Sequence, residues 1–138
     1  MIRKKIKLAL KEDVLGQHCQ NLKIVTEEKQ LFRRPNLSLR DLSNEVGISV
    51  DEVKKILSER MQVTFFEFIT GYKVNEAKKL LTNFKEDQFS ISAITIDSGF
   101  NTIDSFKTIF KQYTQMSPEE YRIKYFIIGY DSSASFED

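Results

Sequence analysis

The chain of 138 residues has no tryptophan, one cysteine, one histidine, two prolines and five glycines, and each scarcity removes a class of answer. A lone cysteine, Cys19, can form no internal disulfide, and with His18 as the single histidine no metal tetrad of Cys and His can be assembled. These two neighbours lie in a polar stretch and read as bystanders rather than as ligands or a nucleophile, so no cofactor or metal is expected. A single unpaired cysteine fits a reduced, cytoplasmic setting. No segment approaches the roughly 18 apolar residues of a membrane span, and no membrane contact is expected of this segment. The basic start from Met1 to Leu10 lacks the apolar core of a secretion signal. Ile2, Ile6 and Leu10 fall four apart there, which suits a short amphipathic helix or a frayed basic arm. An enzyme is not expected: the one histidine lies outside the periodic part of the chain, with no nucleophile and base arranged around it.

Charge is also scarce as a total. The formal net charge is +1, but residues 1–36 carry nine Lys/Arg against four Asp/Glu, residues 37–82 balance, residues 83–124 sum to −1 and the last fourteen to −3. Any basic footprint is therefore local, confined to the N-terminal segment and to faces of single helices. A few well-placed cations and helix N-termini suffice to meet phosphates, so the near-neutral total does not exclude nucleic acid.

Strand signals are almost absent, whereas helix-start signals recur. Ser38 with Asp41, Ser49 with Glu52, Thr64 with Glu67 and Ser117 with Glu120 each place a hydroxyl three residues before an acid. In that arrangement each side chain satisfies a backbone N–H left over at a helix start. Pro118 follows Ser117 at the first helical position, where its missing N–H costs nothing. The pattern predicts helices over about 20–32, 38–46, 49–60, 65–82, 90–98, 102–114 and 118–128. Pro35 and Asn36 close the approach segment, Asn83 to Gln88 reads as a polar break, and the acidic tail 129–138 reads as disordered. The domain organisation expected is a basic arm or helix over 1–36, a first unit over 37–82 and a second over 83–128.

Those two units are copies of one pattern. Leu39, Leu42, Gly47 and Ser49 recur 52 positions later as Ile91, Ile94, Gly99 and Asn101; after a one-residue insertion, Val53, Ile56 and Leu57 recur 53 positions later as Phe106, Ile109 and Phe110. Each copy reads as a short amphipathic helix, a glycine suited to positive φ, a capping residue and a second helix. This is the plan of a module that lays its second helix in a DNA major groove. The fold class expected is all-α: two helix-turn-helix subdomains joined by a long linker helix. At about 1.5 Å per residue the linker over 65–82 would span roughly 27 Å, close to the roughly 34 Å of one DNA turn, so that two reading helices could meet successive major grooves. Gly71 inside it is expected either to admit a neighbouring side chain or to loosen the rod. Phe100, Phe106, Phe110 and Tyr113 have the spacing of core residues rather than of a stacking platform. Lys78 and Lys79 read as a solvated face, and Glu119 and Glu120 as helix-start acids.

The run from Leu37 to Ser43, Val46 to Ser49, Glu76-Ala77-Lys78-Lys79-Leu80-Leu81, and Gly99-Phe100 followed by Phe106, Phe110-Lys111 and Ser117-Pro118-Glu119-Glu120-Tyr121-Arg122 resemble the DNA-binding domain of the AraC/XylS family of bacterial transcription regulators. The wording near Phe65 to Ile69 and Gly99 to Asn101 is similar to members from Bacteroidetes, where the domain often ends a larger sensor or membrane protein. The resemblance implies a sequence-specific DNA-binding transcription regulator, or the DNA-binding part of one, acting in the cytoplasm at the nucleoid. Double-stranded DNA is the partner implied; RNA polymerase and a sensor domain in a longer parent chain are further partners it admits. Asp51, Lys54 and Lys55 match the family's base-reading positions in the first unit, and Ile103, Asp104, Lys107 and Thr108 those in the second. Ser49, Thr102 and Lys111 match positions that meet phosphates. Lys donates to guanine O6 and N7, Asp accepts from cytosine N4, and Ile touches a thymine methyl.

The chain departs from the family at several points. Acids stand at Asp51 and Glu52, serine stands at Ser58 where lysine is frequent, Thr95 replaces a common alanine and Gln115 a common glycine. No arginine occupies a reading position, so strong bidentate guanine contacts are missing. The alternative is a helix-turn-helix-derived protein-interaction module that has lost most DNA affinity and docks through its acidic first reading helix.

Overall fold

Capping residues decide where the helices of this protein begin. The structure, a computed structural model, describes residues 2–83 and 89–125, with side chains from Val14 onward. The expected polar break at Glu86 and its neighbours, the end of the last helix and the tail fall outside the described residues. Helices α1 (Ile2–Glu28), α2 (Leu39–Val46), α3 (Val50–Lys55), α4 (Phe65–Leu81), α5 (Ile91–Asp97) and α6 (Ile103–Thr114) are followed by α7, helical over 118–125. No strand occurs among the described residues. The fold is all-α, with two helix-turn-helix units.

The reciprocal caps form as the spacing requires. At α2 the Ser38 hydroxyl accepts from the Asp41 N–H at 3.0 Å while Asp41 accepts from the Ser38 N–H at 2.9 Å. Thr64 with Glu67 and Ser117 with Glu120 close the same two-way bond. Each such cap contributes about 1 kcal/mol.

Contacts divide the chain into two compact units, 1–70 and 71–138, with the boundary inside α4. In the first, α1 packs against α2, a 3-10 turn (Leu31–Arg33) and a π-helical turn (Ile56–Met61). Leu22, Thr26, Leu31, Leu42, Val53 and Ile56 are fully buried there. Thr26 tolerates burial because its hydroxyl donates to the Leu22 carbonyl at 2.6 Å. Glu45 on α2 accepts from Lys29 at 2.8 Å and from Arg34 at 3.1 Å, tying the segment after α1 back to the helix-turn-helix.

In the second unit Val74, Ala77, Leu81, Ile94, Phe100, Phe106 and Phe110 form one core. Its rings run Phe100 to Phe106 at 5.0 Å, Phe106 to Phe110 at 5.6 Å, and Phe110 edge-on to Tyr121 at 5.3 Å. Burying each Phe contributes about 2–3 kcal/mol, and each ring pair adds about 1 kcal/mol. Arg122 on α7 donates to the Phe89 carbonyl at 2.6 Å and to the Leu81 carbonyl at 3.3 Å. That guanidinium satisfies the C-terminal carbonyl of α4 and the chain leading into α5 together.

Four expectations change against this architecture. The start is neither a short helix nor an arm but part of a 27-residue α1, since Lys, Leu, Ala and Glu dominate it and good helix formers need no sharp apolar stripe to continue a helix that is packed at one end. The helix expected over 49–60 is α-helical only to Lys55 and then widens into the π turn, a change of hydrogen-bond register that no residue type announces. Tyr113 is 45% exposed rather than core, because the inward side of its helix is taken by Phe106, Phe110 and, in part, Ile109. Gly71 has no atom within 4 Å of where a Cβ would sit, which removes the close-packing explanation for it.

Candidate nucleic-acid interface

The repeat seen in sequence is a repeat of hydrogen bonds. In the first unit Gly47 takes φ 83° and the Ile48 N–H reaches back to the Ser43 carbonyl at 3.3 Å; in the second Gly99 takes φ 93° and the Phe100 N–H reaches the Thr95 carbonyl at 2.9 Å. This six-to-one closure around a left-handed glycine is the geometry that ends one helix and aims the next. The neighbouring hydroxyls are satisfied inside the turn. Ser43 donates to the Ile48 carbonyl, Ser98 to the Ile94 carbonyl, and Thr95 to the Ile91 carbonyl, so threonine at 95 in place of alanine buries no unpaired group.

Both second helices start on a capped hydroxyl. Ser49 accepts from the Glu52 N–H at 3.1 Å and Thr102 from the Ser105 N–H at 3.0 Å. The structural partner of Ser49 is therefore Thr102 rather than Asn101, and the inserted residue lies before the cap. With that register Asp51 corresponds to Asp104 and Lys54 to Lys107, while Glu52 corresponds to Ser105 and Ser58 to Lys111. An acid at the second helical position is common to both units. The charge contrast between them lies at three positions: Glu52 against Ser105, Lys55 against Thr108 and Ser58 against Lys111.

Helix α6 presents Ile103, Asp104, Lys107, Thr108 and Lys111 to solvent while Phe106 and Phe110 anchor its other side at full burial. Ile103 is 40% exposed at the helix start, an uncommon place for a branched aliphatic side chain unless something covers it. Thr108, Lys111, Gln112 and Gln115 line a shallow concavity. Gln112 went unnoticed in the sequence because nothing in its spacing sets it apart from solvated polar residues, and Gln115 stood out there only as a replacement for a common glycine. Gln115 holds φ 65° at the C-cap and donates its amide to the Gln112 carbonyl at 3.0 Å.

On α3 the exposed set is Asp51, Glu52, Lys54 and Lys55, with Val53 fully buried behind them. Ser49 and Thr102 are both exposed, and each places a helix N-terminus at the edge of its polar face. Every residue expected to read bases or meet phosphates is thus solvent-facing on one of two short helices. Lys107 forms an ion pair, at 3.1 Å from the Glu119 carboxylate of α7. A hydrogen bond from its own backbone N–H, then the Lys107 ammonium, hold the Glu119 carboxyl below the usual carboxylate range.

Residues 42–124 match the helix-turn-helix domain family. The chain belongs to this family, of AraC/XylS type. A curated relative, an uncharacterised HTH-type transcriptional regulator of Staphylococcus aureus strain COL, is 31% identical over 113 residues. That alignment takes in 82% of this chain but 14% of the relative's length. The melibiose operon regulatory protein of Escherichia coli K12 is 29% identical over 86 residues, 62% of this chain and 28% of that one. Among solved structures, a DNA-binding transcriptional dual regulator from Escherichia coli K-12 superposes with a TM-score of 0.67 at 20% identity, over 78% of this chain and 91% of that chain. The DNA-binding domain of AdpA, solved in complex with a target DNA, superposes with a TM-score of 0.63 at 17% identity, over 75% of this chain and 91% of that one. At such identities the likeness is one of fold. No helix among the described residues is long and apolar enough to cross a membrane.

Proposed function

We propose that this AraC/XylS-type chain binds double-stranded DNA as the reading part of a transcription regulator, with α6 as the dominant reading helix and α3 as the lesser. The observation that carries the proposal is the two-sided character of α6. One side is locked by Phe106 and Phe110, and the other offers an apolar tip, an acid, two lysines and a threonine to solvent. Those groups are the repertoire needed for a thymine methyl, cytosine N4, guanine O6/N7 and phosphate oxygens. Lys107 and Thr108 are assigned to base edges and Lys111, with the capped start at Thr102, to the backbone. The AdpA domain bound to its target supports the assignment by fold.

On α3, Lys54 and Lys55 are assigned to bases and Ser49 to phosphate, against repulsion from Asp51 and Glu52. Those exposed acids favour one second reading, in which α3 docks on a basic protein surface such as that of RNA polymerase while α6 holds the DNA. Recovery of bound genomic fragments followed by sequencing tests the proposal. A shared sequence element, lost when Lys107→Ala and Lys111→Ala are combined, is expected; fragments without a shared element, recovered equally by that variant, would overturn it.

A further inference from the structure

We propose that Glu119 is a specificity-determining residue of the α6 reading face, one that holds the Lys107 ammonium as a base reader and withholds it from phosphates. The inference rests on the DNA-binding reading above and on the geometry of one ion pair. Lys107 Nζ lies 3.1 Å from Glu119 Oε1, and both side chains are about half exposed, at 47% and 46%. The pair therefore sits on the face assigned to DNA, not beneath it.

The helix turn that carries the carboxylate is held in place. Pro118 is fully buried, Ser117 and Glu120 close a reciprocal cap at the start of α7, and Glu119 stands between them in the first turn. The shorter glutamate side chain thus projects from a held backbone, within reach of the Lys107 ammonium. An ammonium has three donors. With one spent on Glu119, two remain, enough for the neutral O6 and N7 acceptors of a guanine. A phosphate makes a different demand: it must either approach the Glu119 carboxylate or strip Lys107 from it, and neither adds net neutralisation. Asp104, one turn earlier on α6 and equally exposed, repels the same phosphate. Lys111, exposed and in no ion pair among the described residues, is left to meet the DNA backbone.

Binding of a random-sequence duplex and of a recovered genomic duplex, followed by fluorescence anisotropy across a salt series, tests the assignment. Glu119→Gln is expected to tighten the random duplex about fivefold and to steepen its log–log salt slope by about 0.9, the value of one added phosphate contact. The recovered duplex should change less, so that discrimination narrows. Adding Lys107→Ala to Glu119→Gln should abolish the gain. Glu120→Gln, a neighbouring acid whose capping bond glutamine can replace, serves as the control, with melting temperatures confirming that all variants fold. A steep slope for the unaltered chain with Glu119→Gln indistinguishable from Glu120→Gln would overturn this inference alone. So would a gain that survives Lys107→Ala. A flat slope for the unaltered chain would overturn the DNA-binding reading itself.

Discussion

Lys111 stands where the first reading helix has Ser58 and Thr108 where it has Lys55, so each helix carries two lysines; the second carries one acid, Asp104, against Asp51 and Glu52 in the first, and that assigns more of the phosphate attraction to the second unit. Lys111→Ala should weaken binding by a similar factor on every duplex and reduce the salt slope by about 1. Asp51→Ala should leave non-specific binding unchanged or strengthen it, because it removes an exposed acid from the N-terminal turn of α3. Loss of binding to a preferred site alone in Asp51→Ala would make that acid a base reader. A second group of charges governs stability instead. Lys29, then Arg34, hold the Glu45 carboxyl below its ordinary value of 4.5, and the Ser38 backbone N–H, then its hydroxyl, hold Asp41 below 3.8. A lowered folded value means stabilisation that is present above the ordinary value and lost as pH falls through the lowered one. Thermal midpoints recorded downward from pH 5 should therefore fall once the pH passes below about 4.5, and the decline should be shallower in Glu45→Gln. An equal decline in both would show that the Lys29 and Arg34 contacts contribute nothing to acid stability.

At the scale of elements, the caps and the repeat were legible because they rest on local chemistry: a hydroxyl, an acid three residues on, a glycine that must take positive φ. Three features were not. The continuation of α1 over its first half carries no sharp apolar stripe, the π turn after Lys55 is a choice of hydrogen-bond partner, and the exposure of Tyr113 depends on which of several aromatics the core admits. The candidate site was legible as a set of positions through the family resemblance, but the Lys107–Glu119 pair was not, since the two stand on different helices. The departure at Gln115 has a physical cost that the structure locates. A side chain at φ 65° is disfavoured by about 1 kcal/mol relative to glycine. Gln115→Gly should therefore raise the melting temperature, offset in part by losing the amide bond to Gln112. Gly71 gives the opposite case. With open space around it inside α4, Gly71→Ala should stabilise by about 0.5–1 kcal/mol. A lower melting temperature for Gly71→Ala would mean that the helix needs the glycine's freedom at that point.

For the whole molecule, the central claim is that a nearly neutral chain binds DNA through a few local cations. Two compact units each supply one capped, half-exposed helix, on which Lys54, Lys55, Lys107 and Lys111 stand beside Asp51, Glu52 and Asp104, while Glu119 restrains Lys107. The measurement that addresses this most directly is the salt dependence of duplex binding by the unaltered chain. A log–log plot of affinity against salt between about 50 and 200 mM should be linear, with a negative slope of a few units that counts the phosphates neutralised. Binding that does not vary with salt, or no binding to any duplex, would contradict the account and leave the protein-docking role of α3 as the function of the fold.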